Sequence, residues 1–271
     1  MDDQGRPIVV GHLYPDLDCL AAIWLLQRWG GMQHAELTFV PAGKTLDDQP
    51  VDSNPHIIHV DTGGGRFDHH RTNDFQLSAA ELVRRSVAPE DEVLTRLIHR
   101  VTQIDHAQVD VSPIFNVNDL IGGYHELYPE SPAAVVTAML PNFDAWYAWE
   151  ARQLRLEAAF ARRIEFDTPW GLGIAMESDD GGSARLAFGH RAILYVYRDA
   201  QGRMGIAARS RSNVDLTPVY RDLRRIEPDA DWYLHPSKRL LLCGTAKAPP
   251  RVPSKLSLEE LVGVLRGDFL F

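Results

Sequence analysis

Four short segments hold most of the residues that could do chemistry, all within the first 106 of 271 residues. They are Gly11-His12-Leu13-Tyr14-Pro15-Asp16-Leu17-Asp18, Val60-Asp61-Thr62-Gly63-Gly64, Phe67-Asp68-His69-His70 and Gln103-Ile104-Asp105-His106. Imidazole nitrogen and carboxylate oxygen together suit Mn, Zn or Fe, and a carboxylate can bridge two ions. Two ions about 3.5–4 Å apart clamp the attacking and leaving oxygens of a phosphoryl group. Such a site needs more ligands than one loop supplies, so its ligands must come from several strand ends.

The pattern around these segments supplies such ends. Pro7–Val10 reads as a strand that stops at Gly11-His12, followed by a helix over Leu20–Leu26 that ends at Gly30-Gly31. Leu37–Val40 and His56–Val60 read as two further strands, and Ser78–Arg85 and Asp91–Ile104 as helices. Strands alternating with helices predict a parallel sheet with helices on both faces. Sheets of that kind bind ligands at the carboxyl ends of their strands. His12 and Asp61 both follow a strand directly.

From Pro132 to Phe166 the pattern is helical, interrupted at Pro141, with Asn142-Phe143-Asp144 offering a new N-cap. Beyond Thr168 short β-type pieces dominate, with a turn at Asp199-Ala200-Gln201-Gly202. Helices at Leu216–Arg225 and Leu256–Arg266, the last capped by Ser257 with Glu260 three residues on, complete a smaller α+β domain. The expected division is a catalytic α/β domain over 1–130, a helical connector over 131–166 and a substrate-binding α+β domain over 167–271.

Charge divides the chain in a similar way. Residues 1–180 carry 13 Lys and Arg against 28 Asp and Glu, and residues 181–271 carry 15 against 9. Nine of the eleven histidines precede residue 126. An acidic, His-rich front half suits cations and a basic back half suits an anionic substrate. The net charge of -9 argues against a protein that coats long duplex nucleic acid. The longest apolar run, Cys19–Leu26, is far too short to span a bilayer. Two cysteines with 223 residues between them do not make a disulfide framework, so a soluble cytoplasmic protein without a membrane partner is expected.

In their types and order the four segments resemble the motifs of the DHH phosphoesterase superfamily, which includes RecJ-type exonucleases, cyclic-dinucleotide phosphodiesterases and family II pyrophosphatases. The resemblance covers roughly residues 7–106. It implies one metal held by His12, Asp16 and Asp61 and a second held by Asp18, Asp61, His69 and Asp105, with Asp61 bridging. His70 would face the substrate phosphate, Asp68 would orient a histidine, and water activated between the ions would be the nucleophile. Asp110 and Asp119 are rivals to Asp105. The implied cofactors are two divalent ions, Mn²⁺ foremost, with Mg²⁺, Co²⁺, Fe²⁺ and Zn²⁺ open. Asp61 and Asp68 stand only seven apart across Gly63-Gly64-Gly65. That spacing is similar to the melanocyte-proliferating-gene family of metal-dependent exonucleases, whereas Pro15-Asp16-x-Asp18 is closer to mainstream DHH enzymes.

Superfamily members use a C-terminal domain to supply basic groups to the substrate. The candidates are Arg209, Arg211, Lys238 and Lys247, the last in a Gly244-Thr245-Ala246-Lys247 loop able to offer backbone N–H groups to an anion. A Gly-Gly-Gly-His element and a Ser-Arg-Lys element, known from other members, are absent. The expected activity is cleavage of phosphodiester bonds in short single-stranded nucleic acid or in a phosphorylated small molecule, with a homodimer as the possible assembly. A pyrophosphatase-like or phosphomonoester hydrolase and a non-catalytic nucleotide sensor stand as alternatives. Cys19 reads as a buried structural thiol, and Trp146, Tyr147 and Trp149 read as helix packing. His34, His56, His59, His99, His125, His190 and His235 read as ordinary surface or core residues.

Overall fold

The computed structural model describes residues 6–109 and 114–268. It has two compact units, residues 1–151 and 152–271. The first is built on a three-stranded parallel sheet in the order β2-β1-β3, formed by β1 (Ile8–His12), β2 (Glu36–Val40) and β3 (Ile57–His59). Helices α1 (Leu17–Arg28), α2 (Ala79–Val87), α3 (Glu92–Asp105), α4 (Val117–Leu127) and most of α5 (Pro132–Ala161) flank it.

Every residue of α1 from Leu17 to Leu26 is buried. A helix apolar on all sides can only be enclosed, and α1 touches β1, α2, α3 and α4. Its far end is tied to α5: Trp24 Nε1 donates to Asp144 Oδ1 at 2.9 Å, and Arg28 grips the same carboxylate with bonds of 3.0 and 2.7 Å. The start of α1, which carries Asp16 and Asp18, is therefore set on a rigid element.

Pro141 does not end a helix as its sequence suggests; α5 runs through it from Pro132 to Ala161. Proline removes one main-chain donor, and the Asn142 side chain, instead of capping a new helix, donates to the carbonyl of Ala138 at 2.9 Å. Trp146 and Tyr147 pack against the core of this unit, and Tyr147 also donates to Asp91 at 3.0 Å. Helix α4 has no counterpart in the sequence reading, although Asn116 and Asp119 form a reciprocal cap at its start.

The second unit holds a six-stranded mixed sheet in the order β4-β5-β6-β7-β9-β8. Its strands are β4 (Ile164–Thr168), β5 (Gly171–Glu177), β6 (Leu194–Arg198), β7 (Met204–Ala208), β8 (Trp232–Leu234) and β9 (Leu240–Cys243). β5 and β6 are parallel and the other pairs antiparallel. β4 lies where the sequence reads as the end of the connector helix, because Ile164–Thr168 pairs along its whole length with β5. Helices α6 (Ser183–Gly189), α7 (Thr217–Ile226) and α8 (Leu258–Arg266) complete the unit. The Ser257–Glu260 cap at the start of α8 is present. Among the described residues no helix is long and apolar enough to cross a membrane.

Candidate metal centre

His12 is the last residue of β1, and Asp61 lies two residues beyond β3, so both stand at carboxyl ends of adjacent parallel strands. Asp61 has a φ of 56°, unusual for a residue with a side chain, and its N–H donates to the carbonyl of Phe67 at 2.9 Å. Gly63 and Gly64 follow with φ of 80° and 70°. The chain thus folds back at once and brings Asp68-His69-His70 beside Asp61. Gly63 and Gly64 both hold backbone conformations that residues with a side chain rarely adopt, so glycines are needed to turn the chain here.

Two helix starts and one helix end supply the rest. Asp16 caps α1, its Oδ1 accepting from the N–H groups of Asp18 and Cys19, each at 3.1 Å. Asp18, in the first turn, is fully enclosed. Its Oδ2 accepts from Ala79 N at 2.7 Å and its Oδ1 from Ala80 N at 2.9 Å, the first two amides of α2. Asp105 closes α3.

The side chains converge as two clusters around one carboxylate. Asp61 Oδ2 faces His12 Nε2 at 3.3 Å, with Asp16 Oδ1 3.9 Å from the same nitrogen. Asp61 Oδ1 faces His69 Nε2 at 3.5 Å, and Asp18 and Asp105 each place an oxygen 3.6 Å from that nitrogen. Asp61 Oδ1 is buried and accepts no hydrogen bond among the described residues. Asp61, His69 and His70 bring donor atoms within 4.8 Å of one another. A buried, unpaired carboxylate oxygen among imidazoles and further carboxylates is the environment a divalent ion satisfies. The donor set fits two such ions.

Asp68 does not join either cluster. Its Oδ2 accepts from Gly64 N at 2.6 Å, and its Oδ1 accepts from the N–H and the Nδ1 of His70 at 3.0 and 2.9 Å. Burial pushes its carboxyl up, but those bonds outweigh burial and hold it below the ordinary range. The aspartate fixes the His70 ring through Nδ1 and leaves Nε2 free on a side chain that is 63% exposed.

Burial, then the neighbouring Asp61, pushes the Asp18 carboxyl up to about 8. Burial, with weaker repulsion from Asp61, also raises Asp16 and Asp105. His69 is raised to about 9, chiefly by the Asp61 carboxylate beside it, against the opposing effect of burial. Asp61 itself is lowered: burial opposes this, and the neighbouring His12 and His69 rings prevail. In the metal-free protein a proton on His69 stabilises the fold fully below about pH 6.5 and is lost as pH rises through about 9. The proton on Asp18 contributes in the same direction, its stabilisation fading from about pH 4 through 8. Metal ions bound at the candidate site would compete for these same atoms. The Tm of chelated protein should therefore fall from pH 6 to 9, and the gain in Tm from added Mn²⁺ should grow over that range. Differential scanning fluorimetry checks both, and a gain independent of pH would contradict the ligand set.

Other residues near the site have different roles. Asp119, a rival ligand, accepts from Asn116 at 2.9 Å in its own helix cap, and Asp110 lies outside the described residues. The Cys19 thiol is buried within reach of His12 and Asp61 and is held well above its usual pKa, first by burial and then by Asp61. It is a protonated core thiol. His106, not included in the ligand set, packs edge-on against His69, and its Nε2 lies 2.7 Å from the Leu77 carbonyl, to which it donates. Sequence reasoning missed the α2 amides that anchor Asp18. The Ser78-x-x-Glu81 spacing signals that helix start, but nothing local says which side chain it meets.

In the second unit the basic candidates differ among themselves. Arg209 is spent on main-chain carbonyls of Ala192, at 3.0 Å, and Phe188. Lys238 pairs with Asp215 at 3.2 Å. Arg211 and Lys247 are exposed. The Gly244–Lys247 loop is closed by reciprocal backbone bonds between Thr245 and Ala248 at 2.8 and 3.2 Å, so the Thr245 amide is already engaged.

No protein-family model matches the chain, and no curated protein matches it in sequence. Among solved structures it is similar to a DHH domain described as a member of an s1p family of ribosomal proteins. That pair shares 13% identity over 98% of this chain and 87% of the other, at a TM-score of 0.32. An exopolyphosphatase-related protein from Bacteroides fragilis shares 13% over 96% and 90%, at 0.26. RecJ from Thermus thermophilus, solved with Mg²⁺, shares 14% over 98% of this chain and 50% of its own, at 0.30. A second RecJ structure from that organism contains Mn²⁺. The structural neighbours of this chain thus include a DHH domain, RecJ and an exopolyphosphatase-related protein.

Proposed function

We propose that this chain is a DHH-type phosphoesterase, a metal-dependent phosphohydrolase that cleaves phosphodiester bonds in short nucleic acids or nucleotides. The observation that carries the reading is the division of Asp61, one oxygen toward His12 and Asp16 and the other toward His69, Asp18 and Asp105. Mixed imidazole and carboxylate donors favour Mn²⁺ over Mg²⁺, which prefers an all-oxygen shell. Two bound ions would supply an activated water and neutralise charge on the phosphoryl oxygens. The chain's own residues do the rest. The two strand ends and two helix starts hold the carboxylates in place without reorganisation, which is where most of the electrostatic gain in such sites originates. His70, its Nδ1 fixed on Asp68, has Nε2 available to hold or give a proton to a phosphate oxygen. Cys19 and Cys243 are both unpaired and buried, which suits a reducing compartment, and we place the protein in the cytoplasm.

The test is to chelate the purified protein, restore Mn²⁺, and follow a 5′-labelled RNA pentamer by gel beside pyrophosphate hydrolysis. Shortening of the pentamer that needs Mn²⁺ is the expected result. Hydrolysis of pyrophosphate alone would replace the diesterase reading with a pyrophosphatase. Metal binding with no turnover of either substrate would leave a nucleotide sensor.

A further inference from the structure

We propose that the cavity beside the metal ligands is a subsite for a single unpaired nucleobase, which makes base-bearing nucleotides the substrate class of this centre. The cavity, of about 310 Å³, is lined by Asp16, Asp18 and Asp105 together with Tyr14, Gly122 and His125. A group seated in it is thus next to the carboxylates that would hold the ions. Its catalytic role rests on the hydrolase reading above; its ability to bind a base does not.

Three features fit a flat aromatic ring. Tyr14 is 64% exposed, yet its ring is stacked on His125 with centroids 3.7 Å apart and planes within 13°. His125 is in turn buried and donates from Nε2 to the Pro15 carbonyl at 2.9 Å. An exposed tyrosine held in this way presents its outer face as a fixed platform, at little entropic cost on binding. Gly122 sits in the interior of α4, where glycine weakens a helix. A Cβ there would meet nothing within 4 Å, so no packing explains the missing side chain. Its effect is to keep the cavity open. Asn118, one helical turn before Gly122, also lines the cavity. Its side-chain amide makes no hydrogen bond among the described residues and offers a donor and an acceptor to a base edge. A cavity of this size has room for one ring system.

The binding test uses 2-aminopurine riboside, an uncharged fluorescent nucleoside that is quenched on stacking and needs no metal. The wild-type protein should quench it. Tyr14→Ala and Gly122→Leu should weaken binding roughly tenfold or more, the scale of a lost base–aromatic stack, and Tyr14→Phe should retain it. Leucine is a strong helix former, so Gly122→Leu fills the cavity without opposing the fold. In parallel, the Mn²⁺-loaded wild type should cleave a dinucleotide at least about tenfold better in kcat/KM than its abasic counterpart. Gly122→Leu should abolish that preference. No quenching by the wild type, equal quenching by Gly122→Leu, or equal cleavage of the two substrates by the wild type would each overturn the subsite. Quenching that Gly122→Leu removes, in a protein that hydrolyses nothing, would confirm the subsite and sink the hydrolase reading.

Discussion

Asp61→Asn should lower metal-dependent turnover by about 10³-fold or more while leaving the fold intact. The loss follows from the position of Asp61 between the two clusters, with a separate oxygen toward each. Removing its charge weakens both ion sites together, and several kcal/mol of transition-state stabilisation correspond to at least about three decades in rate. The choice of asparagine matters because Asp61 sits at a φ of 56°. Asparagine tolerates that backbone region better than other side chains, so the turn back to Phe67 is preserved. Metal content per chain, measured after dialysis against Mn²⁺, should fall alongside kcat, with unchanged far-UV circular dichroism. Wild-type turnover by Asp61→Asn would remove the basis for a two-ion site.

Asp18→Ala should destabilise the metal-free protein by roughly 2–6 kcal/mol, one of the largest single-residue effects in the first unit. Both Asp18 oxygens are taken up by the first amides of α2, at 2.7 and 2.9 Å. Alanine strands two buried donors, each costing roughly 1–3 kcal/mol. The comparison belongs at pH 6, below the raised pKa of about 8, where the carboxyl is neutral and its removal relieves no charge repulsion. Urea unfolding followed by circular dichroism measures the difference. A loss under about 1 kcal/mol would mean that water or backbone movement replaces the acceptor. Asp18 is thereby a structural anchor as well as a candidate ligand, so loss of activity in Asp18→Ala alone would say little about metal binding.

A good part of this architecture was legible in the residues. The three strands of the parallel sheet, the enclosed helix between them and the Ser257–Glu260 cap all arise from local signals: apolar runs, glycine stops and cap spacing within a few positions. The order of the His/Asp segments likewise pointed to an Asp/His metal site, because each segment carries its chemistry in adjacent residues. Asp68 beside His70 is a contact within three residues, and it forms as that proximity allows.

Other features were settled only by distant parts of the chain. That Asp18 would find the amides of α2, 61 and 62 residues away, is written nowhere near Asp18. The basic candidates show the same limit: the charge of Arg209 is visible in sequence, but its capture by the carbonyls of Phe188 and Ala192 depends on how β7 and α6 pack. Pro141 reads locally as a helix stop, and α5 continues through it because the helix is held along its apolar face against the core of the first unit. Helix α4 and the Tyr14–His125 stack, its partners 111 residues apart in sequence, bring the cavity beside Asp16, Asp18 and Asp105. Local sequence thus determined which atoms are chemically able to hold a metal, because ligand type and short-range backbone preference are properties of neighbouring residues. Tertiary packing decided which of those atoms meet, because an enclosed carboxylate or imidazole is placed by partners tens of residues away.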